Sequence, residues 1–355
     1  MLARWRFPLT VWLLTHAAIV AIAALSIFLW PHLYTATGSV AAPKLGLVDG
    51  LCPWDCRFYA GIAAYGYKEP ALTNFWPMLS LYARPLVWLH LSGSAAVVIV
   101  ANAASLVAYV AVYRVFELCA DEAAARSGLI LFAAYPFAFF FGAGYTETLM
   151  VAAGAGAMWL ALVGRPVWAS VAFAAGVLAR APGTLAWLGL AAVQLRDRTR
   201  WRTRAALLIP VGVGLLWPLY CWLRFHDPLA WMSARKLWGW HGSLNIIKGM
   251  TRWDQNARML LVYPVFALIP GAGVVALVRQ RRWWPLASFA LPLFVLFCAM
   301  GAYGLGRYSA SVWPAFLPLG VWLARRPSLQ TPVLLALALF QGLFLHLFAH
   351  AYELQ

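Results

Sequence analysis

The chain has 355 residues, of which 64% are hydrophobic and 11% are charged, and its mean hydropathy is +0.75. Soluble domains carry about 25% charged residues, so the composition excludes an ordinary soluble protein and predicts one all-α polytopic membrane domain over residues 1–355. The net charge of +16 does not indicate nucleic-acid binding, because much of the basic charge lies in short clusters between apolar runs, as in cytoplasmic loops of membrane proteins.

The first apolar run covers about residues 9–30 and follows Arg4 and Arg6. Its length of roughly 22 residues suits a membrane-spanning helix, whereas the apolar core of a signal peptide has about 7–15 residues. The Pro31-His32 pair that follows offers no small-residue cleavage site. The run is therefore predicted to be the first span, with the N-terminus in the cytoplasm.

The first long loop, residues 32–94, contains Asp49 and Asp55 in a chain with only eleven acidic residues. A carboxylate near a membrane is costly unless it is solvated, paired or in use. From 54 to 65 the apolar and aromatic residues recur at helical spacing, which predicts a short amphipathic surface helix with Asp55 in its first turn. Asp55 could instead be a helix cap, and Asp49, before Gly50, is readily explained as a turn residue.

The same loop contains two cysteines, Cys52 and Cys56. They could pair if the loop faces an oxidising compartment. A helix that starts at Trp54 would disfavour the bond, so the sequence predicts that these two cysteines stay unpaired.

Ten further apolar runs follow, giving about eleven predicted spans; they cover approximately 95–116, 127–141, 145–163, 167–180, 181–195, 205–223, 259–278, 284–301, 308–324 and 331–350. Several are shorter than the ~20 residues of a straight span. Breaks fall at 141–144 and 180–183, where glycine and proline occur. Broken helices are tolerated at membrane depth only where protein or a water-filled cavity covers the backbone, so the breaks predict a cavity.

Alternate crossings place the arginine clusters at 196–204, 279–282 and 325–326 in the cytoplasm, in agreement with the positive-inside rule. The C-terminus then lies outside, on the same side as the loops at 32–94 and 224–258. The loop at 224–258 is itself basic, which runs against the simple rule.

Glu147, Arg180 and Arg307 fall on this external side as isolated charges at the ends of apolar runs. Each is a candidate substrate-binding residue, because arginine holds phosphate through its planar fork and a carboxylate between apolar segments indicates function. The alternatives are that Glu147 stabilises the start of the next helix and that the arginines extend to the interface.

The loop at 224–258 interleaves basic residues and tryptophans, and Arg235, Lys236 and His241 in it are further candidate binding residues. Basic and aromatic side chains together suit a lipid phosphate whose tail lies in the bilayer. An aromatic belt with ordinary headgroup contacts is the alternative. The sequence contains no zinc-type cysteine and histidine spacing and no phosphate-binding loop, so neither a metal nor a cofactor is predicted.

Several stretches, in chain order, resemble the PIG-V-type mannosyltransferases of the GT-C glycosyltransferase superfamily. They are Trp54-Asp55-x-x-Phe58-Tyr59-x-x-Ile62-Ala63-x-x-Gly66-Tyr67, Asn74-Phe75-Trp76-Pro77 with Arg84-Pro85-Leu86, Tyr135-Pro136-Phe137 through Tyr145-Thr146-Glu147-Thr148-Leu149, Leu178-Ala179-Arg180-Ala181-Pro182-Gly183, Asp227-Pro228-Leu229-Ala230 and Arg307-Tyr308. Each motif is weak alone, but together they span nearly the whole chain.

The resemblance implies transfer of a sugar, most directly mannose, from a polyprenyl-phosphate donor to an extracytoplasmic glycolipid, glycan or protein. An acidic residue of the first external loop would be the base, Asp55 ahead of Asp49, and Tyr308 would join the binding residues. The family's usual Phe-Phe-Pro-Leu-Tyr-Pro-like run reads Phe75-Trp76-Pro77-Met78-Leu79-Ser80 here, which leaves the substrate open. The Ala-, Arg- and Trp-rich composition and the short loops favour a bacterial member in the cell membrane.

Two other functions fit a polytopic chain. A transporter or lipid flippase would also have broken helices and buried charge, although no internal repeat is visible and the selected charges map to one side. A membrane acyltransferase would need a catalytic histidine, for which His226 and His241 are weak candidates.

Overall fold

The structure is a computed structural model that describes residues 3–30, 45–196, 201–237, 257–301 and 304–352. Those ranges contain helices and no strand, so the all-α prediction is confirmed for them. The α-helices are α1 (Ala3–Leu29), α2 (Leu47–Leu51), α3 (Asp55–Tyr65), α4 (Met78–Trp88), α5 (Gly93–Cys119), α6 (Glu122–Ala134), α7 (Glu147–Leu162), α8 (Pro166–Val177), α9 (Trp187–Arg196), α10 (Trp201–Ala206), α11 (Leu208–Phe225), α12 (Ala230–Leu237), α13 (Ala257–Arg279), α14 (Trp284–Ala299), α15 (Leu305–Ala310), α16 (Phe316–Ala324) and α17 (Pro327–Ala349).

Six segments of the described chain are long and apolar enough to cross a membrane, by length and composition: Trp5–Leu29, Gly93–Cys119, Arg204–Phe225, Val262–Arg279, Arg281–Ala299 and Pro327–Ala349. Four shorter apolar helical segments accompany them: Glu147–Leu162, Pro166–Val177, Ala181–Leu195 and Trp313–Ala324. These segments support an integral membrane protein. The number of eleven crossings stays a prediction.

Helices are interrupted at both of the predicted breaks. A 3-10 turn, Ala138–Phe141, follows α6, and α7 begins only at Glu147. The second break separates α8 from the 3-10 turn Ala181–Ala186, which has proline in its first positions. The side chains of residues 138–150 are all buried, so protein covers the first interruption as the sequence argument requires.

Helix α5 lies at the centre of the fold and packs against α1, α3, α4, α6 and α7. The helices of the first loop lie at one end of the bundle, where they contact both interruptions. The N–H of Gly144 donates to the carbonyl of Leu51 at 3.1 Å, and the N–H of Met78 donates to the carbonyl of Leu178 at 3.2 Å. The first loop therefore brings Asp55 to the same end of the bundle as the two breaks.

Cys52 and Cys56 form a disulfide, with their Cα atoms 4.9 Å apart. The prediction that these cysteines stay unpaired is therefore wrong. Trp54 has a φ of 52°, which is rare for a bulky residue, and α3 begins only at Asp55. Cys52 lies before α3, and the turn at residues 52–54 brings its Cα within the range that a disulfide needs.

Candidate active site

Arg307, on α15, connects two carboxylates that come from distant parts of the chain. Its Nη1 donates to Oδ2 of Asp55 at 2.8 Å, and its Nε lies 3.1 Å from Oε1 of Glu147. A guanidinium group presents several donors in a fixed planar fork, so one arginine can hold both carboxylates. From the sequence alone Arg307 is one of several candidate cations, whereas the structure places it between the two carboxylates.

Arg180 and Tyr308 complete the cluster. Arg180 Nη1 forms an ion pair with the same Oε1 of Glu147, and its Nη2 donates to the Tyr308 hydroxyl at 2.7 Å. Arg307 Nη2 donates to that hydroxyl at 3.0 Å. The Asp55, Glu147, Arg180, Arg307 and Tyr308 side chains are hereafter called the charged cluster.

The charged cluster is buried except at one side. The side chains of Glu147 and Arg307 are 1% and 2% exposed, while those of Arg180 and Asp55 are 15% and 22% exposed. Two guanidinium groups balance two carboxylates, which is the condition for keeping such charges out of water. Asp55 and Arg180 therefore provide the solvent-accessible part of the cluster.

Only one of the two carboxylate oxygens of Asp55 accepts a hydrogen bond from the described residues. Arg307 occupies Oδ2, and among the described residues no hydrogen bond is made to Oδ1. Deeper in the cluster, Oε2 of Glu147 is buried and has no hydrogen-bond partner within the described ranges. An accessible carboxylate oxygen beside two cations is an arrangement that can accept a proton next to a bound anion.

Two glycines permit the close approach of the segments that carry the cluster. A Cβ at Gly144 would lie 2.3 Å from the Sγ of Cys56, so a side chain there would push α3 away from the start of α7. A Cβ at Gly306 would lie 2.5 Å from the ring of Phe137, so α15 approaches the first interruption only because that position is glycine. The neighbouring Arg307 is thereby brought to Asp55 and Glu147.

Arg235, on α12, lies near the charged cluster as a third cation. The residue is half-buried. Burial lowers the pKa of Arg235, and the positive charge of Arg180 lowers it further while Tyr308 acts in the opposite direction. Its neighbour Lys236 is exposed, and His241 lies outside the described residues, as does most of the basic loop.

Asp49 is placed differently from the rest of the predicted site. The residue is exposed, and its Oδ2 accepts the N–H of Gly46 at 2.9 Å at the start of α2. This is the local role of a turn or cap carboxylate. The described contacts give Asp49 no ion pair with the charged cluster.

Three aromatic residues near the cluster are not among the site residues predicted from the sequence: Tyr59, Phe140 and Tyr145. Burial raises the pKa of Tyr59. The nearby Arg180 lowers this pKa, while Asp55 and Glu147 raise it. The guanidinium carbon of Arg307 lies 5.1 Å from the ring centre of Tyr145 and 5.7 Å from that of Phe140. Tyr59 and Tyr145 belong to the motifs that carry the family resemblance, which was the available signal.

Within the described ranges, no three histidine, cysteine, aspartate or glutamate side chains come together as a metal-binding group. The acidic oxygens of the charged cluster are instead paired with arginine. The described site thus offers cations of its own for holding an anion.

The sequence profile of the family described as "Mannosyltransferase (PIG-V)" matches residues 7–199. The match includes Asp55, Glu147 and Arg180 but ends before Arg307. No curated protein sequence matches the chain.

Among solved structures, the chain is similar to the oligosaccharyltransferase of Archaeoglobus fulgidus. The apo form is 15% identical, with a TM-score of 0.47 over 96% of this chain and 56% of that one. The complex of the archaeal oligosaccharyltransferase AglB with an inhibitory peptide and a dolichol-phosphate is 15% identical, with a TM-score of 0.45 over 96% and 56% of the two chains. The present chain thus spans about half the length of these structures.

Proposed function

The chain belongs to the mannosyltransferase (PIG-V) family, and on that premise we propose that it is a membrane glycosyltransferase of the GT-C type. It transfers a sugar, most directly mannose, from a polyprenyl-phosphate donor to a hydroxyl of a glycolipid, glycan or protein. The observation that carries the proposal is the charged cluster. It unites an accessible carboxylate with two arginines from separate segments.

Asp55 is the general base in this proposal. Glycosyl transfer with inversion requires a carboxylate to take the proton of the acceptor hydroxyl. Asp55 is the more exposed of the two carboxylates in the cluster, and its Oδ1 has no hydrogen-bond partner among the described residues. Arg307 orients the carboxylate through Oδ2, which leaves Oδ1 for the acceptor.

Arg180, Arg307 and Arg235 stabilise the phosphate as it leaves the sugar. Cations already oriented toward the position where negative charge develops lower the barrier to such a step. Arg235 interacts electrostatically with Arg180 and brings a third guanidinium group to the site. Guanidinium groups favour an anionic donor, and side-chain cations of this kind can act on a single phosphate where other enzymes use a metal.

The proposed topology has eleven crossings, a cytoplasmic N-terminus and an external active site. Contacts between helix ends support it. Trp283 Nε1 donates to the carbonyl of Cys119 at 3.3 Å, and both lie at ends assigned to the cytoplasm. His350 Nε2 lies 2.6 Å from the carbonyl oxygen of Trp30, at ends assigned to the outside. The Cys52–Cys56 disulfide, beside Asp55, also favours an oxidising compartment.

The proposal is tested with the purified full chain in lipid nanodiscs, radiolabelled polyprenyl-phosphate mannose and an extract of membrane lipids and glycans. We expect label to move into a new product, and Asp55→Asn to lower the rate of transfer by ~100-fold or more. Movement of unreacted donor between leaflets of a vesicle, without a new labelled product, would instead identify a lipid flippase. If no labelled product forms and the donor does not move between leaflets, polyprenyl-phosphate mannose is not a substrate and the proposed donor is wrong.

A further inference from the structure

The hydroxyl of Tyr308 accepts hydrogen bonds from two arginines. Arg180 Nη2 donates to it at 2.7 Å, and Arg307 Nη2 donates to it at 3.0 Å. A tyrosine hydroxyl has one proton and can accept with its oxygen, whereas a guanidinium group can only donate. The arginines therefore saturate the oxygen as an acceptor, and neither of them can receive the Tyr308 proton.

The Tyr308 O–H makes no hydrogen bond to a protein acceptor within the described ranges. Arg235, whose pKa Tyr308 raises, carries only donors and cannot receive the proton. Oε2 of Glu147, a buried acceptor of the same cluster, is also without a hydrogen-bond partner among the described residues. Tyr308 is only half-buried, so its hydroxyl is accessible to solvent or to a ligand.

We infer that Tyr308 is a further catalytic residue, whose O–H donates a hydrogen bond to the phosphate oxygen that leaves the sugar. The inference rests on the proposed function. In the step, the acceptor oxygen forms a bond to the anomeric carbon and loses its proton to Asp55. The bond from that carbon to the phosphate oxygen breaks, and the electron pair goes to the phosphate. Tyr308 keeps its proton throughout.

The chemistry of the leaving group explains why such a donor accelerates the reaction. The phosphate is a singly charged diester in the donor and gains a second negative charge as the sugar departs. A hydrogen bond to the departing oxygen therefore strengthens in the transition state, which is the condition for raising kcat. The two arginines fix the donor in advance, because the guanidinium carbons of Arg180 and Arg307 lie 4.3 and 4.8 Å from the Tyr308 ring centre.

The first test compares Tyr308→Phe with Tyr135→Phe in the mannose-transfer assay. Tyr135 is a matched control that is not part of the charged cluster. Its buried hydroxyl is hydrogen-bonded, at 2.8 Å, to Oγ of Ser309, the residue that follows Tyr308 on α15. We expect Tyr308→Phe to lower kcat by ~100-fold, the scale of losing one transition-state donor. The KM for polyprenyl-phosphate mannose should change by less than about threefold, and Tyr135→Phe should retain kcat.

A raised KM with unchanged kcat in Tyr308→Phe would limit Tyr308 to ground-state binding and overturn the inference, as would full activity. Absence of transfer by the unsubstituted protein is a separate result, which counts against the proposed function itself. Thermal unfolding of both variants would show whether the removal of either hydroxyl only destabilises the fold.

A second variant keeps the ring and the hydroxyl in case Tyr308→Phe does not fold. Replacing Tyr308 with 3,5-difluorotyrosine makes the phenol more acidic, so the donor proton is lost at lower pH. The charged side chains around it, Arg180, Arg235, Arg307, Asp55 and Glu147, are unchanged. We expect the alkaline decline of kcat to move to lower pH in this protein. An alkaline limb identical to that of tyrosine would exclude the O–H from the chemical step.

Discussion

Arg307 donates to Asp55 at 2.8 Å although 252 residues of sequence separate them. The same guanidinium group lies against Glu147, so one side chain connects the first loop, the first helix interruption and the C-terminal part of the chain. An arginine in this position does more than supply charge. It fixes how the proposed base is oriented relative to the proposed phosphate site.

Asp55→Asn is expected to reduce transfer by ~100-fold or more, the scale of losing a general base. Asparagine keeps the size of the side chain and an oxygen that Arg307 can bind, so the protein should still fold. Initial rates of mannose transfer and thermal unfolding of the purified variant check both parts of this expectation.

Asp49→Asn is the matched control for that experiment. Asp49 is exposed and accepts the N–H of Gly46, and asparagine serves almost equally well at such a cap. Activity should therefore stay close to that of the unsubstituted protein. Loss of activity in Asp49→Asn, together with full activity in Asp55→Asn, would make Asp49 the general base in place of Asp55.

Arg307→Lys is expected to lose most activity despite keeping the charge. Lysine presents a compact ammonium group and cannot reproduce the fork that reaches Asp55, Glu147 and Tyr308 together. The free energy of unfolding should also fall, because the ammonium group leaves some buried acceptors of the cluster without a hydrogen bond. Arg326→Lys is the control, since Arg326 is exposed and donates to the carbonyl of Trp322. Equal activity of the two variants would contradict a bridging role for Arg307.

Local sequence patterns were sufficient for some parts of the site and not for others. The helical spacing after Trp54 predicted a helix with Asp55 in its first turn, and the glycines at 142 and 144 predicted an interruption before Glu147. No local pattern predicts that Arg307 reaches Asp55. That contact depends on the packing of Gly306 against Phe137, which joins segments far apart in sequence.

The local sequence does not indicate the disulfide, for a related reason. The segment between the two cysteines includes Trp54 at a positive φ of 52°, and tryptophan carries no sequence signal for that conformation. The motif around Asp55 was recognised, but its backbone path was not.

Reduction of the Cys52–Cys56 disulfide is expected to lower activity by releasing the turn that precedes Asp55. Both cysteines are almost fully buried, so Cys52→Ser with Cys56→Ser should also lower the thermal midpoint, by about 2–4 °C for each kcal/mol lost in a large domain. Mass spectrometry of peptides prepared without reductant checks the bond directly. Cys298→Ser, which removes a cysteine that is not in the disulfide, is the control. Alkylation of Cys52 and Cys56 in the unreduced protein would contradict the pairing.

Reporter fusions after Arg204 and after Asp254 are expected to report opposite sides of the membrane. Arg204 ends the arginine-rich stretch that the positive-inside rule assigns to the cytoplasm, and Arg204–Phe225 is long enough to cross once before Asp254. A fusion after Arg326 should match the one after Arg204, because two further crossings separate Arg326 from the preceding cytoplasmic cluster at 279–282. An alkaline phosphatase reporter that is active after Asp254 and inactive after Arg204 and Arg326 would support the threading. Reporters on the same side of the membrane after Arg204 and after Asp254 would contradict this threading.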